Sequence, residues 1–394
     1  MPSVPTTSLD LTDPALVADP YPHLARERAA HAVAWHEASS SYLVFSHAAV
    51  SAVQRDRRLG RLWSDREPAE QLAPFNLLHR HQMMENEPPE HTRLRRPVAG
   101  AFARGHVERL RPRVRALAAE LLDAVDPAGF DLVHDFAEPL PVLVIAELLG
   151  VPATHADDLR RWSQAIVRMY EPAPSAAVVD DAVRASSEFA ALVRDLAAAR
   201  RRAPAADLIT DLVATELSDD EVVAAVVLLL NAGHEASVNV FGNGAVAMLR
   251  AGRLPQLPAA GEDDGGAAAR CVEEMLRYDS ALQLFERTAT EPVDLAGVVI
   301  EPGQKVAVLL GSANRDAAVF DDPDTFDPER ASNPHLAFGV GVHFCLGAPL
   351  ARMELAESLT ALLGRFPSLH LAGEPRSRGT FVLRGHTAVP VAAG

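Results

Sequence analysis

Phe338-Gly339-Val340-Gly341-Val342-His343-Phe344-Cys345-Leu346-Gly347 is the stretch that decides how this chain is read. A cysteine stands among glycines, a histidine and phenylalanines, a setting that suits a thiolate held against a flat cofactor. At its ordinary pKa a neutral thiol is a poor metal ligand, so Cys345 needs a metal or nearby donors to hold it as thiolate. Gly339, Gly341 and Gly347 permit a tight loop whose backbone approaches a cofactor face and turns N–H groups toward sulfur. Beyond the cysteine, Leu350, Met353, Leu355, Leu359, Leu362 and Leu363 recur at helical spacing across Leu346 to Leu363. Cys345 therefore sits where a loop enters a helix, whose N-terminus stabilises an anionic sulfur. Two other readings compete. One is a structural cysteine buried in a glycine-rich turn. The other is zinc, which His343 and Cys345 serve poorly, because they supply two ligands and the chain has no CxxC pair.

The segment resembles the haem-binding loop of the cytochrome P450 superfamily, in the form Phe-Gly-x-Gly-x-His-x-Cys-x-Gly common among soluble bacterial members. The resemblance covers nearly the whole chain, including Asp19-Pro20-Tyr21-Pro22 and Ala313-Asn314-Arg315-Asp316. It implies a mainly α fold with small β-sheets (α+β), haem b lying between a long central helix and the cysteine-loop helix. It implies Cys345 as the thiolate axial ligand, with Phe338, Gly339 and Gly347 around the cofactor. His91, Arg95, Arg287 and His343 stand where the family anchors the two propionates, groups that need cations or strong donors as they leave water. Glu87 replaces an aspartate frequent in the family, and Pro97 is expected to interrupt the helix carrying Arg95. Glu274 and Arg277, three apart on one helical face, are implied to join Arg330 in a buried structural network.

Length and composition set the outer bounds. The 394 residues can bury a large core, and one domain spanning 1–394 is expected. Scarce aromatics and abundant alanine favour helix. The chain opens without a charged-then-apolar leader, and its longest apolar run, Val222 to Gly233, falls short of the roughly eighteen residues of a spanning helix. A soluble, cytoplasmic monomer with no membrane partner is the expectation. Only Cys271 and Cys345 occur, which fits a reducing compartment. The formal net charge of −16 argues against nucleic acid and anionic membranes as partners.

Along the chain the periodicity predicts helices over Val107–Leu122, Pro139–Leu149 and, as an Ala/Arg-rich surface helix, Ala182–Arg202. Strands are expected at Ser41–Phe45, Val293–Ile300, Lys305–Leu310 and Thr380–Leu383. Loops are expected at Glu171–Ser175 and Leu254–Gly266. Leu62 to Glu85, with Trp63, Phe75, Met83 and Met84, is expected to roof a pocket. Ser218-Asp219-Asp220-Glu221 is a capping box opening a helix that can run to Arg250, about 33 residues or roughly 50 Å. Val222 to Leu230 is apolar on every face and must be buried all round. Asn231, Gly233, His234, Glu235 and Ser237 then break the apolar pattern. Polar groups there are costly unless hydrogen-bonded or functional.

The resemblance carries the function with it: a haem-thiolate monooxygenase inserting one atom of dioxygen into a small, largely apolar organic substrate. Electrons are implied to come from NAD(P)H only indirectly, through a separate ferredoxin or flavodoxin with its reductase, docking near Arg93, Arg96 and Arg352. Family members have an acid followed by a threonine on the central helix to manage proton delivery. Here the acid is Glu235, the threonine position is Ala236, and Ser237 lies about 100° further round. Glu235, water and the substrate are therefore expected to share the proton relay. By position, Leu228, Asn231, Ala232, Gln283, Phe285, Val382 and Leu383 are expected to touch substrate, with Asn231 and Gln283 able to orient a polar group. Ala236 leaves open a peroxide-driven or non-hydroxylating oxidase; a haem sensor or carrier is the non-enzyme alternative.

Overall fold

The computed structural model describes residues 4–255 and 266–393. The expected loop over Leu254–Gly266 lies for the most part outside them.

Ser218 caps the central helix as its motif requires. Its hydroxyl accepts from the Glu221 N–H at 3.3 Å, and the Glu221 carboxylate accepts from the Ser218 N–H at 2.8 Å. The helix then runs unbroken from Asp219 to Ala251 and stops at Gly252, whose φ of 62° is the left-handed conformation glycine adopts without cost. Val222 to Leu230 is buried except for the part-exposed Ala225. Gly233 lets a neighbour come close: a Cβ there would stand 3.3 Å from Ile145 of the Pro139–Leu149 helix. By length and composition this helix could cross a membrane, which the run-length argument did not anticipate. Instead 72% of its most apolar window is buried inside the protein.

Other helices pack around it. Arg104–Asp123 lies against Ala348–Arg365, the helix that follows the cysteine loop, and Ala267–Tyr278 lies beside both Ala348–Arg365 and the central helix. Ala176–Arg202 starts six residues before its expected beginning and is more than a surface helix. Ala182, Ala185, Phe189, Val193 and Ala197 form a buried stripe at helical spacing. Pro97 does not interrupt its helix, which spans Glu90–Ala99.

The sheets are small, as expected. The largest has the order Thr6–Thr7, Val33–His36, Ser41–Val44, Lys305–Leu309, Leu284–Ala289 and Leu59–Gly60. Val293–Ile300 is a hairpin of two strands turning at Ala296 and Gly297. Thr380–Leu383, expected as a strand, is a turn with one isolated bridge from Leu383 to Leu282. The Thr380 hydroxyl donates to the Leu383 carbonyl at 2.6 Å, a local bond that competes with sheet pairing. Leu62–Glu85 is not all loop either, since it contains the Ala73–Arg80 helix.

Candidate active site

The cysteine loop is a set of nested turns. The Gly339 N–H donates to the Leu336 carbonyl (2.9 Å), Phe344 to Gly341 (3.1 Å) and Cys345 to Phe338 (2.9 Å). Gly339 (φ 65°) and Gly341 (φ 81°) are left-handed, and at Gly341 a Cβ would run into the Gln54 backbone. Gly347 is conformationally ordinary; it is the N-cap of Ala348–Arg365. The Cys345 thiol is thus delivered to a helix N-terminus. Burial pushes its pKa up, while the Gly347 and Ala348 N–H groups, Arg95 and Arg352 pull it down. Burial wins in this balance, so the thiolate form needs a metal. The donors around sulfur are those a metal-bound thiolate would use.

Behind the loop, Glu274 and Arg277 are fully buried. The Glu274 carboxylate accepts from Arg277 (2.7 and 2.8 Å), Arg330 (3.2 Å), Asn333 (3.1 Å) and the Asp327 N–H (2.8 Å). Arg277 also donates to the carbonyls of Asn314, Pro323 and Thr325. Such complete pairing is what makes a buried charge tolerable.

The four anchor residues gather on one edge of this loop. Arg95 donates to the Phe344 carbonyl at 2.8 Å, and the His91 and His343 rings lie 4.6 Å apart. His343 shares a 2.7 Å hydrogen bond with Glu87, whose carboxylate also accepts from the Arg61 N–H. Burial opposes ionisation of Glu87, yet these partners hold its carboxyl below the usual range. Arg287 is 3% exposed; among the described residues its guanidinium donates one hydrogen bond, to the neighbouring Glu286 carbonyl, and burial with the nearby Arg61 pushes its pKa down to about 9. His91 is buried, and neither ring nitrogen has a hydrogen-bond partner among the described residues. The buried His91 imidazole and the buried, under-satisfied Arg287 guanidinium, both near Glu87, leave hydrogen-bonding capacity that a bound acceptor would fill. Haem propionates fit that need, and the cysteine loop fits the iron. Arg61, which like Arg287 lies over the Phe285 ring, has no motif of its own that would have marked it in the sequence.

On the central helix, Ala232 is exposed and Gly233 and Ala236 are part-exposed, while Asn231, His234, Glu235 and Ser237 are buried. Exposure in the middle of a buried helix marks open space beside it, and Ala232 and Ala236 share that face. Glu235 points elsewhere: Oε2 accepts from Arg378 at 2.9 Å, and Oε1 has no hydrogen-bond partner, with His234 Nδ1 3.5 Å away. Burial raises the Glu235 pKa, Arg378 opposes it and Glu138 adds to it. Burial also drives His234 down to about 3, so its imidazole is neutral.

A second acid, Glu354, faces this region from the cysteine helix. It lines a void of about 10 Å³, room for one water, together with Ser237, Phe136 and Phe241. Burial alone pushes Glu354 up to about 8, and its Oε1 has no partner. Sequence reading missed it. Its only signal was an acid at position 354 among residues of the buried stripe Leu350, Met353 and Leu355.

Comparison with known proteins places this geometry. The cytochrome P450 family profile matches residues 268–383. Cytochrome P450 monooxygenase PikC of Streptomyces venezuelae is 38% identical over 99% of this chain and 94% of its own length. The chain belongs to the cytochrome P450 family. 6-Deoxyerythronolide B hydroxylase of Saccharopolyspora erythraea is 40% identical over 78% of this chain and 76% of the relative. Among solved structures, P450BioI in complex with hexadec-9Z-enoic acid ligated acyl carrier protein superimposes with a TM-score of 0.90 at 30% identity. It covers 96% of this chain and 100% of that one. The chain is a cytochrome P450 monooxygenase of the bacterial type with the P450 fold, mainly helical with small sheets.

Within this P450 the expected substrate residues separate. Leu228 and Asn231 are nearly buried, Asn231 with its Oδ1 unpartnered, and Ala232 borders the open space. Val382 and Leu383 lie in the C-terminal turn. Gln283 is fully buried; its amide nitrogen donates to the Ser280 carbonyl (2.7 Å) and Tyr21 hydroxyl (3.1 Å), and its Oε1 has no partner among the described residues. Phe285 sits between Arg61 and Arg287, 4.3 and 4.8 Å from its ring centre, so it belongs to the anchor cluster. Phe75 is core rather than roof, stacked on His79. Of the expected docking arginines, Arg352 is paired with Glu273, and Arg93 with Glu90 and Glu221. Arg96 is exposed and forms no ion pair among the described residues.

Proposed function

We propose that this P450 binds haem b through the Cys345 thiolate, with His91, Arg95, Arg287 and His343 at the propionates and Phe338, Gly339 and Gly347 against the ring. The cofactor would lie between the central helix and the cysteine helix of a single domain spanning 1–394. The observation that carries this reading is His91, buried with both nitrogens unpartnered, in contact with His343 and two residues from Cys345 by way of it. Haem so held supplies dioxygen activation and insertion of one oxygen atom into substrate, with electrons delivered one at a time.

The chain's own residues bind, exclude water and handle protons. The open face at Ala232 and Ala236, with Leu228 and Asn231 beside it on the same helix and Val382 and Leu383 assigned to the pocket by position, is suited to a small, largely apolar molecule. Ala236 contributes no hydroxyl, so the proton path falls to its neighbours. Burial raises the Glu354 pKa, which favours its protonated form, and Glu354 shares a water-sized void with Ser237, which suits that pair to the roles of donor and relay. Glu235, held by Arg378, is the second acid beside Ala236. Electrons would come from a separate ferredoxin or flavodoxin with an NAD(P)H-dependent reductase. The net charge of −16 supports a soluble cytoplasmic monomer without nucleic acid. A peroxide-driven reaction is the second reading, favoured by Ala236.

The test is the absorption spectrum of the reduced, haem-loaded protein under carbon monoxide. A strongly red-shifted band reports thiolate ligation. Its absence in wild type, or its persistence in Cys345→Ser, overturns the assignment.

A further inference from the structure

One carboxylate outside the site above holds three backbone donors. Glu171 stands in the loop between the Arg168–Tyr170 turn and the Ala176–Arg202 helix. Its Oε2 accepts from the N–H groups of Phe381 (2.9 Å) and Val382 (3.1 Å), and Oε1 accepts from Leu383 (3.1 Å). These are three consecutive donors of the C-terminal turn. The turn's other side is tied by backbone bonds, Gln283 N–H to the Val382 carbonyl (2.9 Å) and Arg384 N–H to the Ala281 carbonyl (2.8 Å).

The residues just before Glu171 are fastened to the Leu62–Glu85 segment. Arg66 donates to the Met169 carbonyl at 2.6 Å, and the Tyr170 hydroxyl lies 3.0 Å from His79 Nε2. His79 is itself stacked on Phe75 and on Trp63. The carboxylate therefore ties the 62–85 segment to the 381–383 turn, two parts of the chain about 300 residues apart in sequence.

We propose that Glu171 is a positioning residue that fixes the Val382–Leu383 wall of the substrate pocket and so sets the pose of bulky ligands. The proposal rests on the reading of Val382 and Leu383 as pocket residues. The chemistry favours a carboxylate specifically. Two anionic oxygens accept three N–H groups in charge-assisted bonds, whereas a glutamine has one acceptor oxygen and would turn its NH₂ toward a donor. Without the carboxylate the three N–H groups must find water, and the turn must move to do so.

Two readouts on haem-loaded Glu171→Ala, Glu171→Gln and Glu171→Asp decide it. The first is amide hydrogen exchange in the peptide spanning 379–385. The second is the haem absorption shift on binding two azoles, small imidazole and bulky econazole. In Glu171→Ala, exchange is expected to speed by about tenfold and econazole to bind about tenfold more weakly, with imidazole within about twofold of wild type. Glu171→Gln should fall between, and Glu171→Asp should recover most of both. Unchanged exchange in Glu171→Ala overturns the tie. Faster exchange with unchanged econazole affinity overturns the positioning role. Leu383→Ala tests the pocket reading separately, since it trims the wall while the N–H groups keep their partner. If it leaves econazole affinity unchanged, the turn is not pocket wall and the positioning role falls with it, even if the tie survives.

Discussion

The Glu274–Arg277 network behind the cysteine loop and the polar side chains at the middle of the central helix are both buried, yet they are built on opposite terms. Around Glu274 every charge is answered: the carboxylate accepts from two arginines, an asparagine and a backbone N–H. Around Glu235 the accounts stay open, with His234, one Glu235 oxygen and Asn231 Oδ1 lacking partners, and Glu354 Oε1 likewise across the Ser237 void. A fully paired network is rigid, because each bond lost leaves a buried charge exposed to its full desolvation cost. An unpaired set leaves room for water and for a proton to change place. On the proposed function, the first region would hold a ligand in place and the second would handle protons.

This contrast breaks first at the ligand. Cys345→Ser is expected to abolish the red-shifted carbon monoxide band and all oxygen-dependent turnover while far-ultraviolet circular dichroism stays unchanged. Next in size, Glu274→Ala should cost about 3–5 kcal/mol of stability, read as a drop in the denaturation midpoint, because Arg277 is left buried without its partner. An equal cost from Asn231→Ala would erase the distinction between the two regions.

The remaining predictions sharpen the open side. Glu354→Gln, assayed with a ferredoxin, its reductase and NADPH, should lower product formed per NADPH consumed by about tenfold or more. Its stability has a pH signature of definite sign. Burial raises Glu354 from 4.5 to about 8, so between those values the unfolded chain has lost a proton that the folded chain retains. The stability it contributes is whole below 4.5 and falls as pH rises toward 8, by at most about 1.4 kcal/mol per pH unit. Urea midpoints at pH 5 and pH 8 should converge in Glu354→Gln relative to wild type; parallel shifts would place Glu354 in a solvated setting. The smallest effect is expected from Ala236→Thr, which should change the coupling of electrons to product severalfold with little change in the denaturation midpoint. Coupling unchanged for every substrate tried would remove the case for a relay adapted to alanine.

Much of the proximal side was legible because its signals are local. Gly339 and Gly341 announce left-handed turns, the Leu350-to-Leu363 spacing announces the helix, and Ser218 with Glu221 announces the start of the central helix. Gln283 was expected at the substrate by position, yet its amide N–H groups are taken up by the Ser280 carbonyl and by Tyr21, a partner 262 residues distant that no local pattern announces. Thr380–Leu383 was misread because a hydroxyl within the segment closes a turn that alternation alone presents as a strand. Arg61, Glu171 and Glu354 were invisible as functional candidates for one reason: a lone charged residue means nothing until its neighbours are known.

By itself, then, the sequence determined the family, the helical architecture, the cysteine loop and the presence of an acid next to an alanine on the central helix. Each follows from a pattern spanning a turn or a few, where backbone geometry and side-chain period act over short distances. Only the tertiary structure decided which buried polar atoms are satisfied and which are not. That depends on partners such as Glu171 and Leu383, 212 residues apart, because burial removes the water that would otherwise pair every polar group.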